Sequence, residues 1–368
     1  MRNLFAALTL LVSTSLYAAE TPPKFQVDPA WPKPLPNNWI MGQPAGVAVD
    51  ADDHVWIVQR PRTLTDDEKA ASLNPPRSKC CIPAPPVMEF DQEGNLLRSW
   101  GGKGEGYDWP QNEHGIFVDH KGFVWLAGNG ETDGQILKFT RDGKFVMQIG
   151  KQGPQTNSLD TARLGRPANV VVDPATNELY VADGYFNHRV IVFDADTGAY
   201  KRLWGAYGKP PTDEKMAAYN PSAAPSPQLS NVHCVRLAND GLVYVCDRAN
   251  NRIQVFRKDG TFVKELFVEK ATLGAGAIWD LAVWPDQNET FLLNADGSNN
   301  EVRILARDGG DTVASFGRNG RMAGDFHWIH YMALDSKGNV FTTEVDTGKR
   351  AQKFLFKGDT VLRKRAAN

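Results

Sequence analysis

One pattern constrains the fold of this chain more than any other feature: four short apolar runs separated by turns, within residues 229–267. The segment reads LSNVHCVRLANDGLVYVCDRANNRIQVFRKDGTFVKELF. Two of its turns, at 239–241 and 258–260, contain Asp-Gly, which is a strong hairpin signal between alternating apolar runs. Because a four-stranded unit of about 40 residues cannot bury both of its faces alone, we expect other copies to pack beside it.

Six copies of this pattern follow one another, and they begin with PAGVAVD, NEHGIFVD, RPANVVVD, NVHCVRLA, AIWDLAVW and WIHYMALD. Repeated four-stranded units of this length predict an all-β fold, a six-bladed β-propeller with four-stranded blades. A solenoid is the alternative, but the copies contain no helical pattern. The sixth copy lacks a clear fourth strand, so we predict that residues 24–27 supply it and close the ring.

The two ends of the chain differ in composition from the repeats. Residues 1–19 are typical of a signal peptide, with a charged start at Arg2, an apolar run and a small-residue exit at 17–19. We therefore expect a signal peptide at 1–19, an N-terminal segment at 20–42, the propeller at 43–358 and a basic tail at 359–368. Such a protein would be exported to the periplasm or secreted.

Charge and cysteine content narrow the partners and the redox chemistry. The net charge of −2 gives no global attraction to nucleic acid or to an anionic membrane, so we expect neither as a partner and expect a monomer. Four cysteines are too few for a fold built on disulfides. Cys80 and Cys81 could pair with each other, with Cys234 and Cys246, or remain reduced.

The order of the strands predicts where a functional site lies. In an up-and-down meander the first strand starts at the face where the second strand ends, so these positions gather around one mouth of the central channel. Histidine occupies this start in blades two, four and six, at His114, His233 and His330. Three imidazoles converging from alternate blades are the protein half of a catalytic zinc site with an open fourth position. His327 is the one substitute ligand that the sequence offers.

The ends of the second strands add charged and aromatic residues to the same mouth. Arg60, Tyr185 and Arg248 lie at such ends and have no repeated counterpart in the other blades. Two arginines beside a metal suit a substrate that carries a carboxylate. A tyrosine beside a cation and two guanidinium groups is a candidate base, since its phenolate form is favoured there.

Four further residues have structural expectations only. Asp183 and Asp247 are expected to bind backbone amides in the turns that follow them, as aspartates at strand ends often do. Arg189 and Arg252 recur at the starts of third strands, and we expect them to join neighbouring blades.

Taken together, these residues resemble a known family, the NHL-repeat β-propellers, and within it the peptidyl-α-hydroxyglycine α-amidating lyases (peptidylamidoglycolate lyases). HGIFVD, VHCVRL and WIHYMALD are similar to the family's histidine-bearing strand starts, and DGYFNHR and CDRANNRIQVF are similar to two of its turns. The resemblance implies NHL-type blades, zinc bound by His114, His233 and His330, and catalytic roles for Tyr185, Arg60 and Arg248. It also implies cleavage of the C–N bond of an α-hydroxyglycine-type amide, so that the partner is a small-molecule or peptide amide with a carboxylate.

The chain departs from this family at the position after the third histidine. That residue is Tyr331, where the family has an aspartate that contributes to a structural calcium site. The backbone carbonyls of Val47 and Ile116 could still serve as calcium ligands. No copper monooxygenase region lies within these residues, so another hydroxylated amide or a small carbinolamine is an alternative substrate.

Two other functions are open from the sequence. A gluconolactonase-like hydrolase would need a calcium cradle of Glu, Asn and Asp at the mouth, whereas the strand starts offer histidine. A non-catalytic NHL module would bind a partner at its rim, where the insertions 61–86 and 209–227 lie.

Overall fold

The computed structural model describes residues 21–363. It contains six four-stranded antiparallel sheets whose first strands contact one another in a closed ring, which makes it an all-β, six-bladed β-propeller. This confirms the fold class predicted from the repeats. Within the described range, no helix has both the length and the apolar character needed to cross a membrane. The predicted signal peptide and the last residues of the predicted basic tail lie outside this range.

Each blade is a meander whose strands run in order from the channel to the rim. The strands of blades one and two are Gln43–Val49, Val55–Arg60, Val87–Phe90 and Leu96–Trp100, then Glu113–Val118, Val124–Gly128, Gln135–Phe139 and Phe145–Gly150. Those of blades three and four are Asn169–Asp173, Glu178–Asp183, Arg189–Asp194 and Tyr200–Trp204, then Val232–Leu237, Leu242–Asp247, Arg252–Arg257 and Phe262–Phe267. Those of blades five and six are Asp280–Val283, Phe291–Asp296, Glu301–Ala306 and Thr312–Phe316, then Ile329–Leu334, Val340–Glu344, Arg350–Phe356 and, from the N-terminal segment, Phe25–Asp28.

The ring closes through the N-terminal segment. Phe25–Asp28 pairs antiparallel with Arg350–Phe356 as the fourth strand of blade six, which is the place predicted for residues 24–27. The remainder of this segment adds Trp39–Ile40, which pairs in parallel with Ile82–Pro83 of the first insertion. Four short 3₁₀ turns complete the regular structure of the described residues: Pro61–Thr63, Ala70–Ser72, Ala206–Gly208 and Arg248–Asn250.

The apolar core lies between neighbouring blades. Six clusters of buried side chains occur, and each combines residues from two adjacent blades, such as Tyr180 of blade three with Phe256 of blade four. The inner three strands are buried on both faces, as Val55–Arg60 illustrates, whereas the outermost strands alternate toward solvent. Packing between blades thus buries the faces that a single repeat would leave exposed.

An ion pair with a buried carboxylate joins the second and third strands in four blades. The carboxylate–arginine pairs are Asp183–Arg189, Asp247–Arg252, Asp296–Arg303 and Glu344–Arg350. The prediction that Arg189 and Arg252 join neighbouring blades was wrong, because each pairs with a carboxylate of its own blade and also donates to the loop that enters that blade. Arg252 donates in addition to Glu265 on the fourth strand of its own blade. The backbone amides that Asp183 and Asp247 accept from belong to these entering loops, at Gly165 and Ser230, whereas the following turns contribute the side-chain amides of Asn187 and Asn250.

Candidate metal centre and active site

Each of the three predicted metal ligands lies in a β-bulge at the channel end of a first strand. The strand register shifts at His114, His233 and His330, so none of them stands opposite a residue of the second strand. A bulge re-aims the side chain of the extra residue. The three rings meet in the channel with centroids 4.7 to 5.0 Å apart, and their nearest ring nitrogens lie within 4.8 Å of one another.

The backbone of the next blade fixes the tautomer of each histidine. The Nδ1 atoms of His114, His233 and His330 bond the carbonyl oxygens of Ala168, Trp279 and Ala45, respectively. An Nδ1–H donated to a carbonyl leaves Nε2 as a lone-pair donor, which is the usual outer-shell arrangement of zinc-binding histidine. Burial lowers the pKa of all three imidazoles well below the usual value, so they are neutral at physiological pH. Three neutral imidazole nitrogens are a donor set that fits zinc, and a tetrahedral ion held by them would keep a fourth position for another ligand.

Tyr185 and Arg248 converge on the same point. The Tyr185 hydroxyl lies 2.9 Å from Nε2 of His114 and 3.1 Å from Nε2 of His233, and Arg248 Nη1 donates to it at 3.2 Å. Gly184 makes this approach possible, because a Cβ there would lie 2.1 Å from the backbone nitrogen of Val232. The Asp-Gly-Tyr turn thus packs directly on the start of blade four.

Arg60 reaches the mouth from blade one. Its Nε donates to the carbonyl oxygen of Glu113 at 2.7 Å, and its Nη1 donates to Gln43 at 2.9 Å. Burial lowers the pKa of Arg60 to about 10, and interaction with Tyr185 opposes that shift, so the guanidinium is charged at neutral pH. The structure therefore brings together His114, His233, His330, Tyr185, Arg248 and Arg60. His327 lies apart from this group and bonds Asp346 and Thr347.

The channel beneath the histidines contains Tyr331, and this does not fit calcium. Its hydroxyl bonds the carbonyl oxygens of His233 at 2.7 Å and Ala168 at 3.1 Å, and its ring stacks on His233. Burial raises the pKa of this phenol well above its usual range, so it stays neutral. Calcium requires six to eight oxygen ligands, with carboxylates among them. The structure therefore does not support a calcium site at the backbone carbonyls of Val47 and Ile116, which are buried residues of first strands.

Both cysteine pairs are disulfides. Cys234 and Cys246 stand opposite each other on the first two strands of blade four, directly after His233, with Cα atoms 4.9 Å apart. Cys80 and Cys81 are bonded to each other. The sequence left the pairing open, and in the structure each cysteine pairs with the one closest to it along the chain.

Three further residues lie at the mouth that the sequence did not single out for a role: Arg166, Trp279 and Trp328. Arg166 precedes the first strand of blade three, and its guanidinium lies 5.9 Å from the ring centre of Tyr185. Trp279 lies under the guanidinium of Arg248 at 4.2 Å and contacts Trp328 edge-on. These residues lie in or beside the loops that enter the blades, so a comparison of strand starts and second-strand ends did not assign them a role.

Comparisons with known proteins agree with this architecture. A family model described as NHL repeat matches residues 229–256. NHL repeat-containing protein 3 of Mus musculus is 29% identical over 247 residues, which cover 64% of this chain and 58% of that protein. The chain thus spans a little over half the length of the first curated relatives that it matches.

Two further relatives carry names that refer to amidation. A Caenorhabditis elegans protein named "Probable peptidyl-alpha-hydroxyglycine alpha-amidating lyase" is 24% identical over 320 residues, covering 84% of this chain and 81% of that protein. Peptidylglycine alpha-amidating monooxygenase of Rattus norvegicus is 26% identical over 62% of this chain and 22% of its own length.

A solved streptogramin B lyase structure shares the fold. It superposes with a TM-score of 0.54 at 13% identity, covering 91% of this chain and 98% of that one. The chain is therefore a six-bladed β-propeller with an NHL repeat, related at low sequence identity to proteins named as peptidyl-α-hydroxyglycine α-amidating lyases and monooxygenases.

Proposed function

We propose that this protein is an exported, zinc-dependent lyase that cleaves the C–N bond of an α-hydroxyglycine-type amide, giving the free amide and glyoxylate. The observation that carries the proposal is the convergence of three neutral imidazoles, one tyrosine hydroxyl and a guanidinium at a single point. Relatives named as amidating lyases support the same reaction class. Export rests on the signal-peptide composition of residues 1–19, and cell fractionation tests it.

Zinc bound at Nε2 of His114, His233 and His330 would supply a Lewis acid for the α-hydroxyl of the substrate. The Tyr185 hydroxyl lies within hydrogen-bond distance of Nε2 of His114 and of His233, so its oxygen would accept the proton of a hydroxyl bound there. The electrons of the O–H bond form the aldehyde carbonyl of glyoxylate as the C–N bond breaks. The proton then passes from Tyr185 to the departing amide nitrogen, and the balance requires no oxidant or added water.

The arginines orient the substrate for this step. Arg248 has a buried Nε without a hydrogen-bond partner among the described residues, while its Nη1 binds the Tyr185 hydroxyl. A carboxylate beside the α-carbon suits this unpaired donor together with the charge of Arg60. Glyoxylate retains that carboxylate, so the same groups hold the product while the amide leaves.

Metal analysis tests the centre. Purified protein is expected to contain about one zinc per chain, the stoichiometry of a single catalytic site, and His233→Ala is expected to lose it. His327→Ala is the matched control, since His327 lies outside the cluster and its loss should leave zinc unchanged. A folded wild-type protein that takes up no zinc on reconstitution contradicts the proposal.

Turnover tests the base. The zinc-loaded protein is expected to release glyoxylate from α-hydroxyhippurate, and Tyr185→Phe is expected to lower kcat by about 10²–10⁴-fold, the usual contribution of a general base. Tyr200→Phe serves as control, because Tyr200 is exposed on the outermost strand of blade three. A Tyr185→Phe enzyme with unchanged kcat excludes the proposed role of this hydroxyl.

A further inference from the structure

We infer that the mouth has a cationic side and an aromatic side, and that the substrate carries an aromatic acyl group on the nitrogen of its α-hydroxyglycine unit. This inference rests on the proposed function and specifies its substrate class. The two sides follow the order of the blades around the ring, with arginines in blades one, three and four and tryptophans in blades five and six.

The cationic side contains three guanidinium groups around one tyrosine. Arg248 donates to the Tyr185 hydroxyl, and Arg60 interacts electrostatically with it. Arg166 lies over the Tyr185 ring and is held by a bond from its Nε to the carbonyl oxygen of Asn129 at 2.9 Å. The nearby carboxylate of Glu113 accepts from Trp109 and lies 3.6 Å from the guanidinium of Arg62, so a fourth arginine opposes its charge. The carboxylate end of the substrate belongs here.

The aromatic side begins at Trp279, next to the metal centre. Its ring centre lies 5.7 Å from those of both His233 and His330, and the guanidinium of Arg248 covers one of its faces at 4.2 Å. Trp279 is almost fully buried, so it supports the aromatic side from below and offers a ligand little contact surface. We call Trp279 and Trp328 together the aromatic wall. Trp279 marks the border between the two sides, because it touches a cation and a second tryptophan.

Trp328 is the exposed part of the wall. It packs edge-on against Trp279 with ring centres 5.2 Å apart, yet 36% of the residue is exposed. Its backbone has a φ of 55°, a left-handed conformation that is costly for a bulky residue. Two bonds hold it there: its amide donates to Asn300 at 2.6 Å, and its carbonyl oxygen accepts from Val345 at 3.1 Å. A large aromatic ring fixed in this way beside a catalytic centre points to a ligand that stacks on it.

The two sides define the orientation of the substrate. With the carboxylate among the arginines and the hydroxyl at the histidines, the acyl group on nitrogen extends toward blades five and six. There it meets the exposed ring of Trp328. A benzoyl or similar aromatic acyl group fits this wall, whereas an acetyl group would leave Trp328 uncovered.

Binding of substrate analogues that lack the hydroxyl tests the inference without turnover. Hippurate and N-acetylglycine differ only in the acyl group, and neither can react. On the zinc-loaded protein, hippurate is expected to bind about tenfold more tightly than N-acetylglycine, as ring stacking typically contributes. In Trp328→Ala the ratio of the two dissociation constants is expected to fall to near one. Trp328→Phe should keep most of the preference for hippurate, and the control Tyr200→Ala should keep all of it.

The outcomes separate this inference from the proposed function. The aromatic subsite is overturned if the wild type binds the two analogues equally or binds neither of them. It is also overturned if the preference for hippurate survives Trp328→Ala. Glyoxylate release from both benzoyl and acetyl substrates with equal kcat/KM overturns it as well, while leaving the lyase function intact. A clear hippurate preference without glyoxylate release from α-hydroxyhippurate supports the subsite and rejects the lyase.

Discussion

The three histidines of the channel are buried, neutral and bonded through Nδ1 to backbone carbonyls, and this couples stability to pH. Burial lowers the pKa of each. Between that lowered value and the unfolded value of about 6.5, the unfolded chain binds more protons than the folded protein. The free energy of unfolding of the metal-free protein is therefore expected to fall as pH drops below about 6.5, by up to about 1.4 kcal/mol per pH unit for each histidine.

Urea unfolding between pH 7.5 and pH 5 measures this dependence, with chelator-treated protein throughout. His330→Asn is the informative variant, because asparagine keeps an N–H donor for the carbonyl oxygen of Ala45 but takes up no proton. The free energy of unfolding of this variant is expected to change less steeply with pH than that of the wild type, by the contribution of one histidine. Identical slopes in the two proteins would show that His330 does not titrate on unfolding.

Individual site residues differ in how far the sequence reveals them. His114, His233 and His330 were predictable because they occupy one repeat position in alternate blades. The contacts of Tyr331 were not predictable from the sequence. Its hydroxyl bonds the backbone of blades three and four, and these blades reach Tyr331 only when the ring closes. Trp328 opens the sixth copy, but its left-handed backbone and its contact with Trp279 become visible only in the folded protein.

Within each blade, the recurring carboxylate–arginine pair stabilises the turn that supports the mouth. Arg252 and Asp247 are both fully buried, and their closest atoms are 2.6 Å apart. Removing the arginine leaves a buried carboxylate without its cation, so Arg252→Leu is expected to lower the free energy of unfolding by about 3–5 kcal/mol. Arg252→Leu combined with Asp247→Leu is expected to recover part of the loss, since neither charge then remains.

Equilibrium denaturation of the three proteins checks this prediction. Lys144→Ala is a matched control, because the ion pair between Lys144 and Asp142 is exposed and its loss should not change stability measurably. If Arg252→Leu unfolds at the same denaturant concentration as the wild type, the pair is not a structural support. The sequence indicated the recurrence of Arg189 and Arg252 but not their partners, because a repeat shows which positions are alike and not which of them touch.

At the scale of the whole molecule, the first and the last strand of the described chain pair with each other in blade six. Phe25 of the N-terminal strand packs against Phe316 of blade five, with ring centres 4.8 Å apart, and also contacts Trp284 and Phe356. The strand therefore covers the edge of Arg350–Phe356 and also joins blade six to blade five. This closure was predictable because the sixth repeat is one strand short and a ring with an open edge is prone to association.

Phe25→Ala tests the contribution of that closure. The side chain is only partly buried, so its loss is expected to lower the free energy of unfolding by about 2 kcal/mol, less than the roughly 3–5 kcal/mol of a buried phenylalanine. Gln26→Ala on the same strand is the control, because Gln26 is exposed and should shift stability by no more than about 0.5 kcal/mol. Because the loosened strand uncovers an edge, Phe25→Ala should also scatter more light on heating than Gln26→Ala does. Equal stability and equal scattering in the two variants would mean that backbone pairing alone keeps the ring closed.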